Sequence, residues 1–107
     1  ENPDQNIIKE ICKDDENNSV LKNPFEILFD HNVFSTFHGK KGVLFDQILI
    51  SEIDKVSHKA LIFNSAKLCN KSRKNSQYPW RTYSGSRYIG GFSDHFPVAL
   101  LLEYSQQ

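Results

Sequence analysis

The spacing of the apolar residues changes near His31, and this change limits the folds that are open to the chain. Before it, apolar residues between positions 7 and 12 recur at helical spacing, after an Asn2-Pro3 pair that suits the start of a helix. A second helical stretch covers residues 20–29, and Pro24 is expected to start its helical turn. The N-terminal part therefore predicts two helices.

From His31 onward, four segments predict β-strands rather than helices. Their boundaries are 33–38, 43–50, 60–68 and 97–104. The second of them, VLFDQILI, is almost entirely apolar, which is typical of a strand that is buried on both faces. Helices followed by strands with short connections predict an α+β fold with about four mainly antiparallel or mixed strands. At 107 residues, we treat 1–107 as a single unit.

Three polar residues interrupt these apolar segments. Asp46 lies inside the apolar run, and Asp94 and His95 come just before the last strand. A carboxylate within a buried strand needs a partner, and His95 is placed to be that partner. An Asp on one imidazole nitrogen would fix the ring and leave the other nitrogen for a substrate. Asp94 would point the other way from the strand and be free to hold a metal ion or its water.

A basic segment precedes these residues. Between Lys67 and Arg87 the chain has six basic residues and no acidic one, which suits a phosphate-bearing ligand. Arg81 and Arg87 are candidates for holding phosphate. Tyr83, Tyr88 and Trp80 are candidates for stacking on a base or a sugar, although packing is the favoured interpretation of Trp80. A solvated loop with surface arginines is an equally good interpretation of this segment.

The two cysteines and the hydropathy leave the compartment open. Cys12 and Cys69 match no zinc or redox spacing and are expected to be small core residues. No apolar run approaches the length of a membrane span. We expect a soluble protein, and a cytoplasmic and a secreted or periplasmic location both stay open.

Two motifs together resemble the endonuclease/exonuclease/phosphatase superfamily. The first is FDQILIS at residues 45–51, and the second is GFSDHFPV at residues 91–98. The superfamily has an aspartate inside a strand and, near its C-terminal end, a Ser-Asp-His-x-Pro-Val sequence. Both occur here in that order. The segment RTYSGSRYIGG at residues 81–91 also resembles a bacterial branch of secreted or periplasmic-type members.

The resemblance implies roles for these residues. His95 would contact the scissile phosphate as general base or transition-state stabiliser, Asp46 would orient it, and Asp94 would help to bind Mg²⁺ (or Mn²⁺ or Ca²⁺). Ser93 and Pro97 would shape the loop. The implied activity is hydrolysis of a phosphoester in nucleic acid, a nucleotide, a phospholipid or an inositol phosphate, by in-line attack of water.

The resemblance covers only half of the superfamily's domain, which is a four-layer α/β/β/α sandwich of two face-to-face sheets. The chain begins at Glu1 and contains no Met, and Glu1-Asn2-Pro3 resembles the residues just after a Gly-Asp-x-Asn motif. We therefore expect the C-terminal half, with most metal ligands in the missing N-terminal half. We expect this half to be inactive alone, and to pair with its missing half or self-associate through an exposed sheet face.

A second hypothesis belongs to a different class of protein. The chain would be a non-catalytic module that binds nucleic acid or a protein through the basic segment at residues 67–87. That hypothesis leaves Asp46, Asp94 and His95 without a role, so the sequence favours the enzyme.

Overall fold

The structure is a computed structural model that describes residues 1–71 and 77–105. It contains helices and strands in the following order: α1 (Asn6–Ile11), α2 (Glu26–Asp30), β1 (Thr36–His38), β2 (Lys41–Val43), β3 (Val56–Ile62), β4 (Tyr83–Ser84), β5 (Arg87–Tyr88) and β6 (Val98–Tyr104). Arg73 and Lys74 of the basic segment lie outside the described residues.

The two predicted helices are confirmed, but both begin later than expected. Asn2 is buried, and its side chain accepts a hydrogen bond from the amide of Leu44, so Asn2 does not cap α1. Ahead of α2, the side chain of Asn23 accepts a hydrogen bond from the amide of Phe25, two residues on. This local turn satisfies a backbone donor at the helix start, and Pro24 lies within it rather than in the helix.

All strand pairs in the described part of the chain are antiparallel, and they form three two-stranded sheets. β1 pairs with β2 around Gly39, and β4 pairs with β5 around Gly85; both glycines have positive φ. The longest pairing joins β3 to β6, from Val56 opposite Tyr104 to Ile62 opposite Val98. The α+β class is confirmed, and the described residues contain six strands where the sequence predicted about four.

The long strand predicted at residues 43–50 is wrong. Only Val43 belongs to a strand, and Ile50 makes an isolated bridge to Lys22. The amide of Leu44 donates to the side chain of Asn2, and the carbonyl of Leu44 accepts from Gln47 Nε2 at 2.7 Å. Side chains therefore satisfy the backbone groups that a strand partner would otherwise satisfy.

The strand predicted at residues 60–68 is displaced toward the N-terminus. β3 ends at Ile62, and a single 3₁₀ turn, Ala66–Leu68, follows it. The first half of the strand was not predicted because Ser57, His58 and Lys59 are consecutive polar residues without an apolar alternation. Its residues lie opposite β6 in a two-stranded sheet with exposed edges, where polar side chains are tolerated.

One apolar cluster joins α2 to the β3–β6 sheet. Its buried members are Phe25, Leu44 and Ala60, and the partly buried residues Leu28, Phe29, Ile62 and Val98 pack against them. Each large side chain that is fully buried here contributes about 1.5–3 kcal/mol. Leu44 places the segment that carries Asp46 against this cluster. Among the helices in residues 1–71 and 77–105, none is long and apolar enough to cross a membrane.

Candidate active site

Asp46 and His95 are in direct contact although 48 residues separate them. Asp46 lies in the irregular segment after Leu44, and His95 lies in the loop before β6. The distance between Asp46 Oδ2 and His95 Nδ1 is 2.5 Å, and each side chain is 35% exposed. An ionised carboxylate can only accept, so in this pairing Nδ1 carries the proton and Nε2 is left as the nitrogen that can accept one.

Asp94 lies on the other side of the imidazole ring. Its Oδ2 is 4.0 Å from His95 Nε2, and its side chain is 66% exposed. That separation is too long for a hydrogen bond. The sequence predicted an Asp94 side chain that points away, whereas the structure places its carboxylate beside the outer nitrogen.

Two buried residues of the β1 region hold the loop on both sides of His95. The hydroxyl of Thr36 donates to the carbonyl of Asp94 at 2.5 Å, and the amide of Phe96 donates to the carbonyl of Ser35 at 2.6 Å. Ser35 and Thr36 are 0% and 2% exposed. The sequence motifs do not reveal this clamp. The only side-chain signal for it is Thr36 within the aromatic stretch VFSTFH, because Ser35 takes part through its backbone carbonyl.

Hydrogen bonds also shape the loop from within and hold the segment of Asp46. Ser93 Oγ accepts from the amide of His95 at 3.1 Å, as expected for a residue that shapes the loop. Next to Asp46, Gln47 Nε2 donates to the carbonyl of Leu44, and Gln47 Oε1 accepts from Asn23 Nδ2 at 2.8 Å. Both members of the Asp46–His95 pair are therefore attached to a fixed backbone.

The three residues predicted to contact substrate have different surroundings. Arg81 is partly buried, and its Nη2 donates to the carbonyl of Phe37 in β1 at 2.9 Å. Tyr83 in β4 and Arg87 in β5 lie on an exposed hairpin. The structure thus ties Arg81 to the scaffold and leaves Tyr83 and Arg87 at the surface. Their roles toward a substrate stay predictions.

The described residues do not form a metal site by themselves. Residues 1–71 and 77–105 contain no group of three His, Cys, Asp or Glu side chains that could hold an ion. Asp94 offers one exposed carboxylate, whereas a hard divalent cation such as Mg²⁺ takes six oxygen ligands, several of which are usually waters. A bound ion would need further ligands beyond these residues.

The cysteines have structural surroundings. Cys69 is buried, its Sγ lies 3.6 Å from the carbonyl oxygen of Asn64, and burial raises the pKa of its thiol. Cys12 is partly buried, and burial together with the nearby Glu26 carboxylate raises the pKa of its thiol. A thiol with a raised pKa is a poor nucleophile and metal ligand. The predicted role as a small core residue fits the buried Cys69, whereas Cys12 is only partly buried.

The chain belongs to the endonuclease/exonuclease/phosphatase family, whose family model matches residues 1–104. Members of this family are hydrolases, nucleases or phosphatases that act on phosphoester substrates, and they are generally dependent on a divalent metal. Comparison with curated proteins and with solved structures gave no match.

Proposed function

We propose that these residues form part of a divalent-metal-dependent phosphoesterase or nuclease in which Asp46 and His95 act as a pair. The observation that supports this most strongly is the 2.5 Å hydrogen bond between them in a chain of this family. Asp46 holds the ring in one tautomer and one orientation. His95 Nε2 then accepts a proton from the attacking water, or, when protonated, stabilises the charge on the phosphate.

Asp94 has a separate proposed role. Its exposed carboxylate beside Nε2 contributes one oxygen toward a metal ion, Mg²⁺ in the first instance, or toward a metal-bound water. A metal ion in such a site neutralises charge on the phosphoryl group. Arg81, Arg87 and Tyr83 are proposed to bind the substrate, with Arg81 acting from its anchored position beside β1.

We further propose that the chain is the C-terminal half of a four-layer sandwich and is inactive alone. Large apolar side chains support this proposal, because Phe45, Ile48, Leu101 and Leu102 are between 38% and 52% exposed. Exposed apolar area of this kind marks an interaction surface. The other half of the domain is its proposed partner, and a second copy of the chain is the partner when that half is absent. Sedimentation of residues 1–107 as a monomer at high concentration would contradict this.

The test of the catalytic proposal uses the full-length protein that carries these residues. Asp46→Ala and His95→Ala should each lower kcat for phosphodiester hydrolysis by about 10²–10⁴-fold, the contribution of a general base. His58→Ala and Asp54→Asn, which change a His and an Asp outside the site, serve as matched controls. If His95→Ala keeps full activity with Mg²⁺ present, the proposed role of the pair is wrong.

The alternative remains a binding module that uses the basic segment. Its supporting observation is the exposed Arg87 on the β4–β5 hairpin. In that case Arg87→Gln abolishes ligand binding and His95→Ala has no effect on any measured activity. Turnover that depends on His95 would exclude this alternative.

A further inference from the structure

A hairpin of residues 80–93, here called the hairpin arm, leads directly into the Ser93-Asp94-His95 loop. Its two sides are hydrogen-bonded along their length. The amide of Ser93 donates to the carbonyl of Trp80 at 3.3 Å, and the amide of Gly91 donates to the carbonyl of Arg81 at 2.9 Å. Nearer the tip, Tyr83 pairs with Tyr88. The arm is therefore an ordered extension of the candidate active site.

Two contacts fix the base of the arm. The guanidinium of Arg81 bonds to the carbonyl of Phe37, and the side chain of Thr82 bonds to the carbonyl of Gly91 at 3.1 Å. Gly91 itself has no room for a Cβ atom, because the backbone of Trp80 and Arg81 fills that space. The direction of the arm relative to His95 is thus set by close backbone packing.

The arm presents three aromatic rings to solvent. Tyr83, Tyr88 and Phe92 are 56%, 68% and 69% exposed. Tyr83 meets Tyr88 edge to face, with centroids 5.6 Å apart, and Phe92 meets Trp80 in the same way. An edge-to-face pair leaves ring faces uncovered, and an uncovered face is what a nucleobase stacks on.

The charge of the arm has one sign. The sequence from 55 to 93 contains no Asp or Glu. Arg87 is exposed at the tip, next to Tyr88, and Lys71 places its ammonium 5.4 Å from the Trp80 ring centroid at the base. Cations interleaved with exposed rings are the combination that binds single-stranded nucleic acid, because the phosphates and the bases both find partners.

We infer that the hairpin arm binds unpaired nucleotides and guides a single-stranded nucleic acid toward His95. The tip, Ser84-Gly85-Ser86-Arg87, is hydrophilic and has no apolar wedge for a lipid surface. At about 3.3 Å per residue, Phe92 and Tyr88 lie roughly 10 and 23 Å of chain from His95, and Tyr83 pairs with Tyr88 across the hairpin. The cleavage step rests on the proposed function, whereas the binding step does not.

The test measures binding in the full-length protein with His95→Ala, so that no substrate is consumed. The probes are a labelled oligothymidylate, an abasic oligonucleotide of the same length and charge, and vesicles of anionic phospholipid. Replacing Tyr83 and Tyr88 with Leu should weaken oligothymidylate binding by at least about fivefold per residue, the low end of the value of one stacked base. The matched variant, with both residues changed to Phe, keeps the rings and should bind normally.

Charge is tested separately. Arg87→Gln should reduce the slope of log K against log salt concentration by about 0.7, as for one phosphate contact on a single strand.

Equal unfolding midpoints for the variants with Leu and with Phe at positions 83 and 88 show that the difference in binding does not come from a difference in folding.

The inference is overturned if the abasic oligonucleotide binds as tightly as oligothymidylate, if the Leu and Phe variants bind equally, or if the vesicles bind more tightly than either oligonucleotide. Base-dependent binding without any His95-dependent hydrolysis would instead overturn the proposed function and leave this inference standing.

Discussion

Thr36→Val tests whether the clamp on the His95 loop matters for catalysis. Val has nearly the shape of Thr, so the substitution removes the hydrogen bond to the Asp94 carbonyl and little packing. A hydrogen bond of this kind contributes about 0.5–1.5 kcal/mol net to the free energy of unfolding. If the carbonyl were left without any hydrogen-bond partner, the loss would be about 1–3 kcal/mol. The methyl group of Val fills the position of the hydroxyl, but Asp94 is exposed, so water can reach its carbonyl from the solvent side, and we expect a loss of about 1 kcal/mol.

The effect on kcat should exceed the effect on stability. Small misplacements of a catalytic group can cost up to about 10²-fold, so we expect Thr36→Val to lower kcat at least about tenfold with little change in KM. The assay is phosphodiester hydrolysis by the full-length protein, with urea unfolding in parallel.

Thr36→Ser is the control for this prediction. It keeps the hydroxyl and loses one buried methyl group, worth about 0.8 kcal/mol, so both variants lose similar stability while only Thr36→Val frees the loop. Equal kcat values for the two variants would refute the reasoning.

Three further predictions concern stability and thiol reactivity. Asn2→Ala should cost about 1–3 kcal/mol in urea unfolding because the buried Leu44 amide loses its acceptor, whereas Asn2→Asp, which keeps an acceptor oxygen, should cost less. Gly91→Ala should cost about 1–3 kcal/mol or prevent folding, since the opposing backbone fills the space of its Cβ; a wild-type unfolding midpoint would contradict this. Because a raised pKa keeps a thiol protonated, alkylation of Cys12 and Cys69 in the folded protein should accelerate only at higher pH than for an exposed cysteine; fast labelling at neutral pH before urea is added would contradict this.

The contact between Asp46 and His95 was predicted from the sequence on the premise that a carboxylate in a buried strand needs a partner. The contact is present, but Asp46 lies in an irregular segment and is 35% exposed, so the premise of a buried strand was wrong. The same reasoning could not find the clamp from Ser35 and Thr36. The clamp bonds to the carbonyl of Asp94 and the amide of Phe96. Nearly every residue has these backbone groups, so the residue types in the loop do not indicate which of them are bonded. The position of Asp94 was mistaken for a related reason, since it depends on how that clamped loop turns.

The fold class followed from the two periodicities, but the boundaries did not. The apolar run at residues 43–50 has the composition of a buried strand, yet the amide of Leu44 bonds to Asn2, 42 residues away. A long-range contact to a side chain overrides a local preference for strand. The polar half of β3 was missed because its edges are exposed, so that burial imposes no apolar pattern on it.

The β3–β6 ladder has a consequence for exchange of its amide protons with solvent. In an antiparallel pair, opposite residues alternate between pairs that exchange two hydrogen bonds and pairs that exchange none. The amide of Phe63 bonds to the carbonyl of Pro97, so even-numbered positions such as Ala60 and Leu100 direct their amides toward the two edges. In the part of the chain that the structure describes, no further strand pairs with either edge. Fast hydrogen exchange of these amides is therefore expected while both edges of the sheet are unpaired. Slower exchange at the same amides would show that a third strand, from another polypeptide, has paired with an edge.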